Sequence, residues 1–202
     1  MIPQNSTNLK NRVNKLYLPK TKPLYALFEV ISNSIHAIQE KKQSLGSSFE
    51  GKILINTIRN GDEEVLKALT DIEKYPINSF RVIDNGIGLD DENFKSFEEF
   101  DSEKKAEIGG KGIGRLICIK TFKKLEYCSV YKEKDNFYIR KFDYKKSKDG
   151  FENYGDEIKT NRKETETSVI LSVYVDAPAK LTTLRRFILT TLRRWSLTTS
   201  SL

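Results

Sequence analysis

The sequence has few of the residues that build metal clusters and disulfide frameworks. Its 202 residues include only two cysteines and one histidine. Cys118 and Cys128 lie in apolar surroundings and form no CxxC motif, and with His36 alone they exclude an ordinary zinc cluster. We therefore expect both cysteines to be buried, reduced thiols.

Long hydrophobic runs are also missing. No stretch approaches about 20 uncharged apolar residues, which excludes a membrane-spanning helix. Residues 1–14 are polar and lack the apolar core of a signal peptide. These absences predict a cytoplasmic protein without a membrane partner.

Charge is abundant, and much of the net charge lies near the C-terminus. The chain carries 35 Lys and Arg against 28 Asp and Glu, a net charge of +7, and its length is that of one domain with at most an appendage. Residues 180–202 contain five basic side chains and no acid. They are either a solvated helix face or a contact for nucleic acid or an acidic partner, through Arg185, Arg186, Arg193 and Arg194.

Hydrophobic periodicity predicts an α+β protein. Apolar residues at steps of three and four predict a helix from Pro23 to about Lys42, and alternation over Lys52–Arg59 predicts a strand. The other expected elements are a short helix over Glu63–Ile72, a strand over Phe80–Ile83, one short helix within residues 90–108, a helical run over Leu116–Phe122, strands over Leu125–Tyr131, Phe137–Tyr144 and Ser168–Val175, a polar loop region over Lys145–Lys163 and a last helix over Lys180–Trp195. This order favours helices on one face of a mixed, mostly antiparallel sheet. We divide the chain into an arm (1–19), a main domain (20–178) and a basic tail (179–202).

The first chemical motif lies on the long predicted helix. Glu29 and Asn33 are four residues apart, so they point to one face of that helix. A carboxylate is a common general base, and an amide oxygen suits Mg²⁺. Taken alone, the pair is weak evidence, and an ordinary solvated helix edge is the favoured interpretation.

Two glycine motifs follow. Asp84-Asn85-Gly86-Ile87-Gly88 ends a predicted strand, where the aspartate can accept a hydrogen bond from an exocyclic amine and the glycines allow close approach of a planar ligand. A simple Asn-Gly turn is the alternative. Gly109–Arg115 begins a predicted helix, and its exposed N–H groups, with Lys111 and Arg115, would attract phosphate. A glycine hinge without a ligand is the alternative there.

In this order and spacing, the motifs resemble those of the GHKL ATPase superfamily. Its members include type II topoisomerase ATPase domains, heat-shock chaperones, mismatch-repair ATPases, histidine kinases and MORC-type proteins. EVISNSIHAI at 29–38 is similar to the first conserved box of that superfamily, VIDNGIGL at 82–89 to its adenine box and IGGKGIGRL at 108–116 to its lid box. Glu166-Thr167-Ser168-Val169 is similar to a fourth element near the adenine.

The resemblance implies a two-layer Bergerat-type α/β sandwich, with ATP and Mg as ligands, and a role for each matching residue. Glu29 would activate the attacking water, Asn33 would bind Mg²⁺, and Asp84 would accept the adenine amine. The other implied ATP-binding positions are Ala37, Gly86, Gly88, Leu89, Gly110, Lys111, Gly112, Ile113, Gly114, Arg115 and Thr167.

Two departures from the superfamily pattern stand out. His36 replaces an aspartate that is usual in chaperone and mismatch-repair relatives, and we expect it to be a structural residue that alters contacts around the site. Glu166 replaces the usual glycine of the fourth element, so the details of that turn remain open. Glu29 itself favours a hydrolase branch, because histidine kinases normally lack this glutamate.

The expected function is therefore Mg-dependent ATP hydrolysis, coupled to lid closure and to a homodimer or a partner chain. The segment 111–131 resembles bacterial chaperone-like ATP-binding proteins found beside anti-phage defence genes. A nucleotide-sensing module without turnover and a nucleotide-regulated nucleic-acid binder are the alternatives. Relatives continue into a further domain, so a fragment, a truncated product or a chain completed by another remain open.

Overall fold

The computed structural model of the protein describes residues 9–18, 24–46, 48–59, 77–98, 113–147 and 150–175. These residues contain four helices and a seven-stranded sheet. The helices are α1 (Leu9–Lys15), α2 (Tyr25–Leu45), α3 (Asp91–Glu98) and α4 (Gly114–Thr121). The strands are β1 (Ile53–Arg59), β2 (Ile77–Asp84), β3 (Phe122–Glu133), β4 (Asn136–Lys145), β5 (Phe151–Glu152), β6 (Ile158–Thr160) and β7 (Glu166–Tyr174).

The sheet order places the last described strand at its centre. The strands lie in the order β1-β2-β7-β3-β4-β5, with β6 beside β4, and every pairing among these described strands is antiparallel. Because β7 lies between β2 and β3, Thr167 pairs with Asp84 on one side and with Ser129 on the other. The topology thus brings three polar residues, distant in sequence, into one row across the sheet.

The core lies between the helices and one face of the sheet. Alternate residues of each strand face it, among them Phe80 and Val82 of β2, which are fully buried. From α2, Ala26 and Leu27 reach the same apolar cluster, and this helix packs against α4 and β2. The amphipathic pattern of α2 therefore fixes which of its faces remains available for other contacts.

The α+β prediction is confirmed, with corrections at several boundaries. The long helix runs from Tyr25 to Leu45, and Gly46 ends it in a positive-φ conformation that favours glycine. β2 begins at Ile77, three residues before the predicted start. Phe122, predicted as the end of a helix, is the first residue of β3.

The region Lys145–Lys163 was predicted as a polar hairpin loop region, and it contains strands that this prediction did not include. It contains β5 and β6, which have only two and three residues. Strands this short carry no alternation for a sequence pattern to reveal. The predicted helices over Glu63–Ile72 and Lys180–Trp195 lie outside the described residues.

The two cysteines differ in burial. Cys118 on α4 is 2% exposed, as predicted, whereas Cys128 on β3 is only half-buried. Cys128 pairs with Lys141 and Ser168 in the sheet register, on alternate positions to the core-facing residues of β3. Both thiols are free.

Candidate nucleotide-binding site

A cavity of about 240 Å³ lies between α2, α3 and the ends of the central strands. Seven of the predicted site residues line it: Glu29, Asn33, Ala37, Asp84, Gly88, Leu89 and Thr167. Phe97 and Tyr127 add aromatic walls, and His36 and Glu40 add polar groups. A concave, largely apolar pocket with a few convergent polar groups is typical of small-molecule sites.

One face of α2 supplies the predicted catalytic and metal-binding side chains. Glu29, Asn33 and Ala37 follow one another at intervals of four residues, so they form a row along the cavity. Buried residues of α2, such as Leu27 and Ile31, anchor the helix in the core. The packing that buries one face of the helix therefore aims the other face at the cavity.

Asp84, the last residue of β2, is the most buried charged group of the cavity. Its side chain is 4% exposed, and its two oxygens accept hydrogen bonds from the Ser34 hydroxyl (2.8 Å) and the Gly86 N–H (2.9 Å). Burial raises the pKa of Asp84, although both hydrogen bonds and the nearby Lys41 act in the opposite direction. Each carboxylate oxygen keeps a further acceptor site, so Asp84 can still receive a donor from a ligand.

The glycine turn after β2 is fastened to its neighbours by backbone bonds. Ile87 N–H donates to the Ala37 carbonyl (3.1 Å), and the buried Thr165 hydroxyl donates to the Gly86 carbonyl (2.6 Å). A Cβ at Gly86 would lie 2.7 Å from the Ala37 Cβ, closer than van der Waals contact allows. Only glycine permits this approach of the turn to α2.

The Asn85 side chain secures the other side of the turn. Its Oδ1 accepts the Lys52 N–H at 2.7 Å, and its Nδ2 donates to the Glu50 carbonyl at 3.0 Å. Lys41 Nζ donates to the Asn85 carbonyl at 2.7 Å. The turn is therefore held from α2, from the residue just before β7 and from the segment before β1, which gives the cavity a defined floor.

Ser129 connects two of the predicted base contacts. Its hydroxyl lies 2.8 Å from the Thr167 hydroxyl and accepts the Leu89 N–H at 2.8 Å. Ser129 itself is fully buried. Either hydroxyl can be the donor of this bond, and when Ser129 donates, the Thr167 proton is left for another acceptor such as a ligand.

Glu29 lies at the opposite end of the cavity, against the start of α4. A Cβ at Gly114 would collide with the Glu29 carboxylate, so these two residues are in close contact. A helix N-terminus favours negative charge, including phosphate. Ile113 packs against the core, and Arg115 is buried with its guanidinium 5.3 Å from the Phe97 ring centroid. Gly110, Lys111 and Gly112 lie outside the described residues.

The donors that line the cavity fit a magnesium ion that arrives with phosphate. Asn33 is exposed and can offer one amide oxygen, and the described residues hold no group of three or more His, Cys, Asp or Glu side chains able to bind a metal. Mg²⁺ commonly takes one or two protein oxygens together with substrate phosphates and water. The residues present thus fit a metal–nucleotide complex better than a metal ion held by protein alone.

Sequence comparison identifies the family. The family model described as histidine kinase-, DNA gyrase B- and HSP90-like ATPase matches residues 21–172. The chain belongs to this ATPase family. A comparison with curated proteins gives no significant match. Members of this GHKL family bind ATP, typically with Mg, and the matched segment contains every described residue that lines the cavity.

Sequence reasoning missed three residues of the GHKL site: Ser34, Ser129 and Thr165. A weak signal exists for Ser129, because Leu125, Tyr127, Ser129 and Tyr131 alternate along β3 and three of the four are apolar or aromatic. Ser34 and Thr165 have no comparable signal, since their hydrogen bonds to Asp84 and Gly86 span 50 and 79 residues.

Among the described helices of this GHKL chain, none is long and apolar enough to cross a membrane.

Proposed function

We propose that this GHKL domain binds ATP in the presence of Mg²⁺ and hydrolyses it slowly. The observation that carries the proposal is the position of Asp84, a buried carboxylate with two structural hydrogen bonds and remaining acceptor capacity, on the floor of the cavity. The row of Glu29 and Asn33 along the same cavity supports turnover as well as binding.

In this proposal, polar groups on the sheet recognise the adenine base. The Asp84 carboxylate accepts the exocyclic amine of adenine, and the Thr167 hydroxyl donates to or accepts from the ring. The base lies beside the glycine turn, where Gly86 and Gly88 let the backbone pack closely against α2 and β3 and so set the position of the cavity wall. Phe97 and Tyr127 exclude water from it.

At the phosphate end, the Glu29 carboxylate takes the proton from the attacking water, as a general base does. Asn33 would hold Mg²⁺, which supplies charge neutralisation to the phosphates when it is bound. Phosphoryl transfer depends on charge stabilisation. The cations that the family resemblance assigns to the phosphates are Lys111, which lies outside the described residues, and Arg115, which is buried beside Phe97 and does not line the cavity. Because Arg115 is held away from the cavity, we expect slow turnover by the chain alone.

Calorimetric titration of ATP and Mg²⁺ into the full chain tests binding. Asp84→Asn should abolish it, because an amide would present a donor where the adenine amine needs an acceptor. The matched control is Asp143→Asn, which makes the same chemical change at a residue that bonds Lys124 and Asn153 rather than the cavity. Binding that survives Asp84→Asn unchanged would remove the basis of the proposal.

Phosphate release under saturating ATP tests turnover. We expect Glu29→Ala to abolish hydrolysis and to spare binding, whereas Glu40→Ala, on the same helix and lining the same cavity, should keep both. Equal hydrolysis by Glu29→Ala would refute the assignment of the base. Tight ATP binding by the wild-type chain without turnover above background would favour the second candidate, a nucleotide-sensing module.

Dimerisation, nucleic-acid binding and a role in anti-phage defence are further parts of the proposal that rest on sequence. Sedimentation with and without a non-hydrolysable ATP analogue tests nucleotide-dependent dimers. DNA binding that falls steeply with salt and disappears on deletion of residues 180–202 would support the basic tail as a nucleic-acid contact. Binding that is indifferent to the deletion would count against it.

A further inference from the structure

Arg140 of β4 is a buried cation in the core of the protein. It is 1% exposed and is among the largest fully buried side chains of the described residues. Removing an arginine from water costs several kcal/mol unless its donors are satisfied. Its partners therefore indicate what the chain holds in place at this position.

The Arg140 guanidinium bonds the backbone just after the glycine turn. Nη1 donates to the Leu89 carbonyl at 2.6 Å and to the Asp90 carbonyl at 2.9 Å. Nη2 donates to Asp91 Oδ1 at 2.5 Å, and both Nη2 and Nε bond Glu157 Oε1. Burial alone would lower the pKa of Arg140, but the bonds from Glu157 and Asp91 outweigh it and raise the pKa, so the charge is retained.

Two aromatic rings lie beside the same guanidinium. Its central carbon lies 4.4 Å from the Phe94 ring centroid and 4.7 Å from that of Tyr131, a range in which cation–π attraction is favourable. Phe94 belongs to α3, and Tyr131 belongs to β3. Arg140 thus joins α3 to the sheet through cation–π contacts of its guanidinium plane as well as through its hydrogen bonds.

Leu89 is consequently held through both of its backbone polar groups. Its N–H donates to Ser129, and its carbonyl accepts from Arg140. Leu89 lines the cavity, and so do Asn93, Ser96 and Phe97 of α3, the helix that begins where Arg140 binds. Arg140 itself does not line the cavity, and its bonds reach the wall through Leu89 and α3.

We infer that Arg140 is a positioning residue for the nucleotide, which holds Leu89 and α3 in the geometry that the base requires. The inference rests on the proposed function of the cavity. It predicts that the base end of the ligand, rather than the phosphate end, senses the loss of Arg140.

The test compares Arg140→Met and Arg140→Lys in the full chain, with adenosine and ATP·Mg²⁺ as calorimetric ligands. Arg140→Met should weaken both ligands about tenfold or more, the loss expected for a charged hydrogen bond. Arg140→Lys retains the charge on a single donor nitrogen, and should recover part of the affinity. Arg81→Met is the matched control, because Arg81 is exposed and bonds Ser168 instead of the cavity wall.

Hydrogen exchange of residues 89–97 gives a second readout that needs no nucleotide. Arg140→Met and Arg140→Lys should speed exchange of these amides while leaving the β3 and β7 amides protected. A merely structural role would accelerate exchange across the whole core. If Arg140→Met does not fold, Arg140→Lys and Asp91→Asn, which changes an exposed partner, provide the same comparison.

The outcomes separate the inference from the proposed function. Wild-type chain that binds neither ligand refutes the function, while the exchange of residues 89–97 still decides whether Arg140 holds this wall. Unchanged affinity and unchanged exchange in a folded Arg140→Met variant overturn the inference alone. A double-mutant cycle with Ser129→Ala should show strongly non-additive losses of adenosine affinity, since both residues act on Leu89. Additive losses would count against the shared action.

Discussion

Gly88 offers the most quantitative test of the geometry of the glycine turn. Its φ is +90°, a conformation that side chains rarely adopt, and a Cβ there would lie 2.6 Å from the Val130 carbonyl oxygen and 2.9 Å from the Tyr131 Cβ. Gly88→Ala therefore introduces two separate penalties. The backbone strain costs about 1–3 kcal/mol, and the collision with the β3 backbone costs about 1–3 kcal/mol more.

Three other glycines separate these penalties. Gly46 has a φ of +87° but no atom within 4 Å of an added Cβ, so Gly46→Ala carries strain alone. Gly86 has no positive φ but has close neighbours, so Gly86→Ala carries collision alone. Gly155 has neither, and Gly155→Ala should be neutral or stabilising by about 0.4–1 kcal/mol.

The assay is urea unfolding of the four variants, monitored by far-ultraviolet circular dichroism. The free energy of unfolding should fall most for Gly88→Ala, less for Gly46→Ala and Gly86→Ala, and not at all for Gly155→Ala. Gly88→Ala should also lose nucleotide affinity, whereas Gly46→Ala should keep it. A Gly88→Ala variant no less stable than Gly46→Ala would refute the close approach of the turn to β3.

Three further predictions concern single groups. Burial raises the pKa of Asp84 above 3.8, so its ionised form costs stability above the unfolded pKa. As the pH falls through the folded pKa, the unfolding free energy of the wild type should rise relative to that of Asp84→Asn, because the buried carboxylate becomes neutral. ATP affinity should fall over the same range, because the protonated group is a poorer acceptor. A difference in unfolding free energy between the two proteins that does not change with pH would contradict this. Cys118 is buried with a raised thiol pKa, so a thiol-reactive disulfide should modify Cys128 first and Cys118 only on unfolding; two fast thiols would be inconsistent with the fold. Thr165→Val leaves the Gly86 carbonyl without this donor and should lower the unfolding free energy by about 1–3 kcal/mol, measured in urea; no loss would mean that the carbonyl finds another partner.

Local patterns predicted the long helix and most strands because each carries its own periodicity. The contacts that complete the site are different in kind. Ser34 donates a hydrogen bond to Asp84, which lies 50 residues away in sequence. The strand order that places β7 between β2 and β3 cannot be predicted from any single segment. Non-local register of this kind depends on how the whole sheet assembles, so a sequence pattern predicts the residues but not their pairing.

Arg140 carries a local signal of its burial in the pattern of β4. It alternates with Tyr138, Phe142 and Tyr144 along β4, which places it on the same face as buried aromatic residues. The competing interpretation is a solvent-facing side chain, which is usual for a charged residue in a strand. An arginine in phase with the apolar positions of a strand predicts a buried cation with partners elsewhere in the chain.

The row of residues along α2 also limits how this segment can change in evolution. A helix rises about 1.5 Å and turns about 100° per residue, so Glu29 and Ala37 lie roughly 12 Å apart on one face. Inserting a single residue between them would turn Ala37 by about 100°, to the position of Ile38, which does not line the cavity. A deletion would move Ala37 to the position of His36, which does line it, so the spacing from Glu29 to Ala37 tolerates an insertion less well than a deletion.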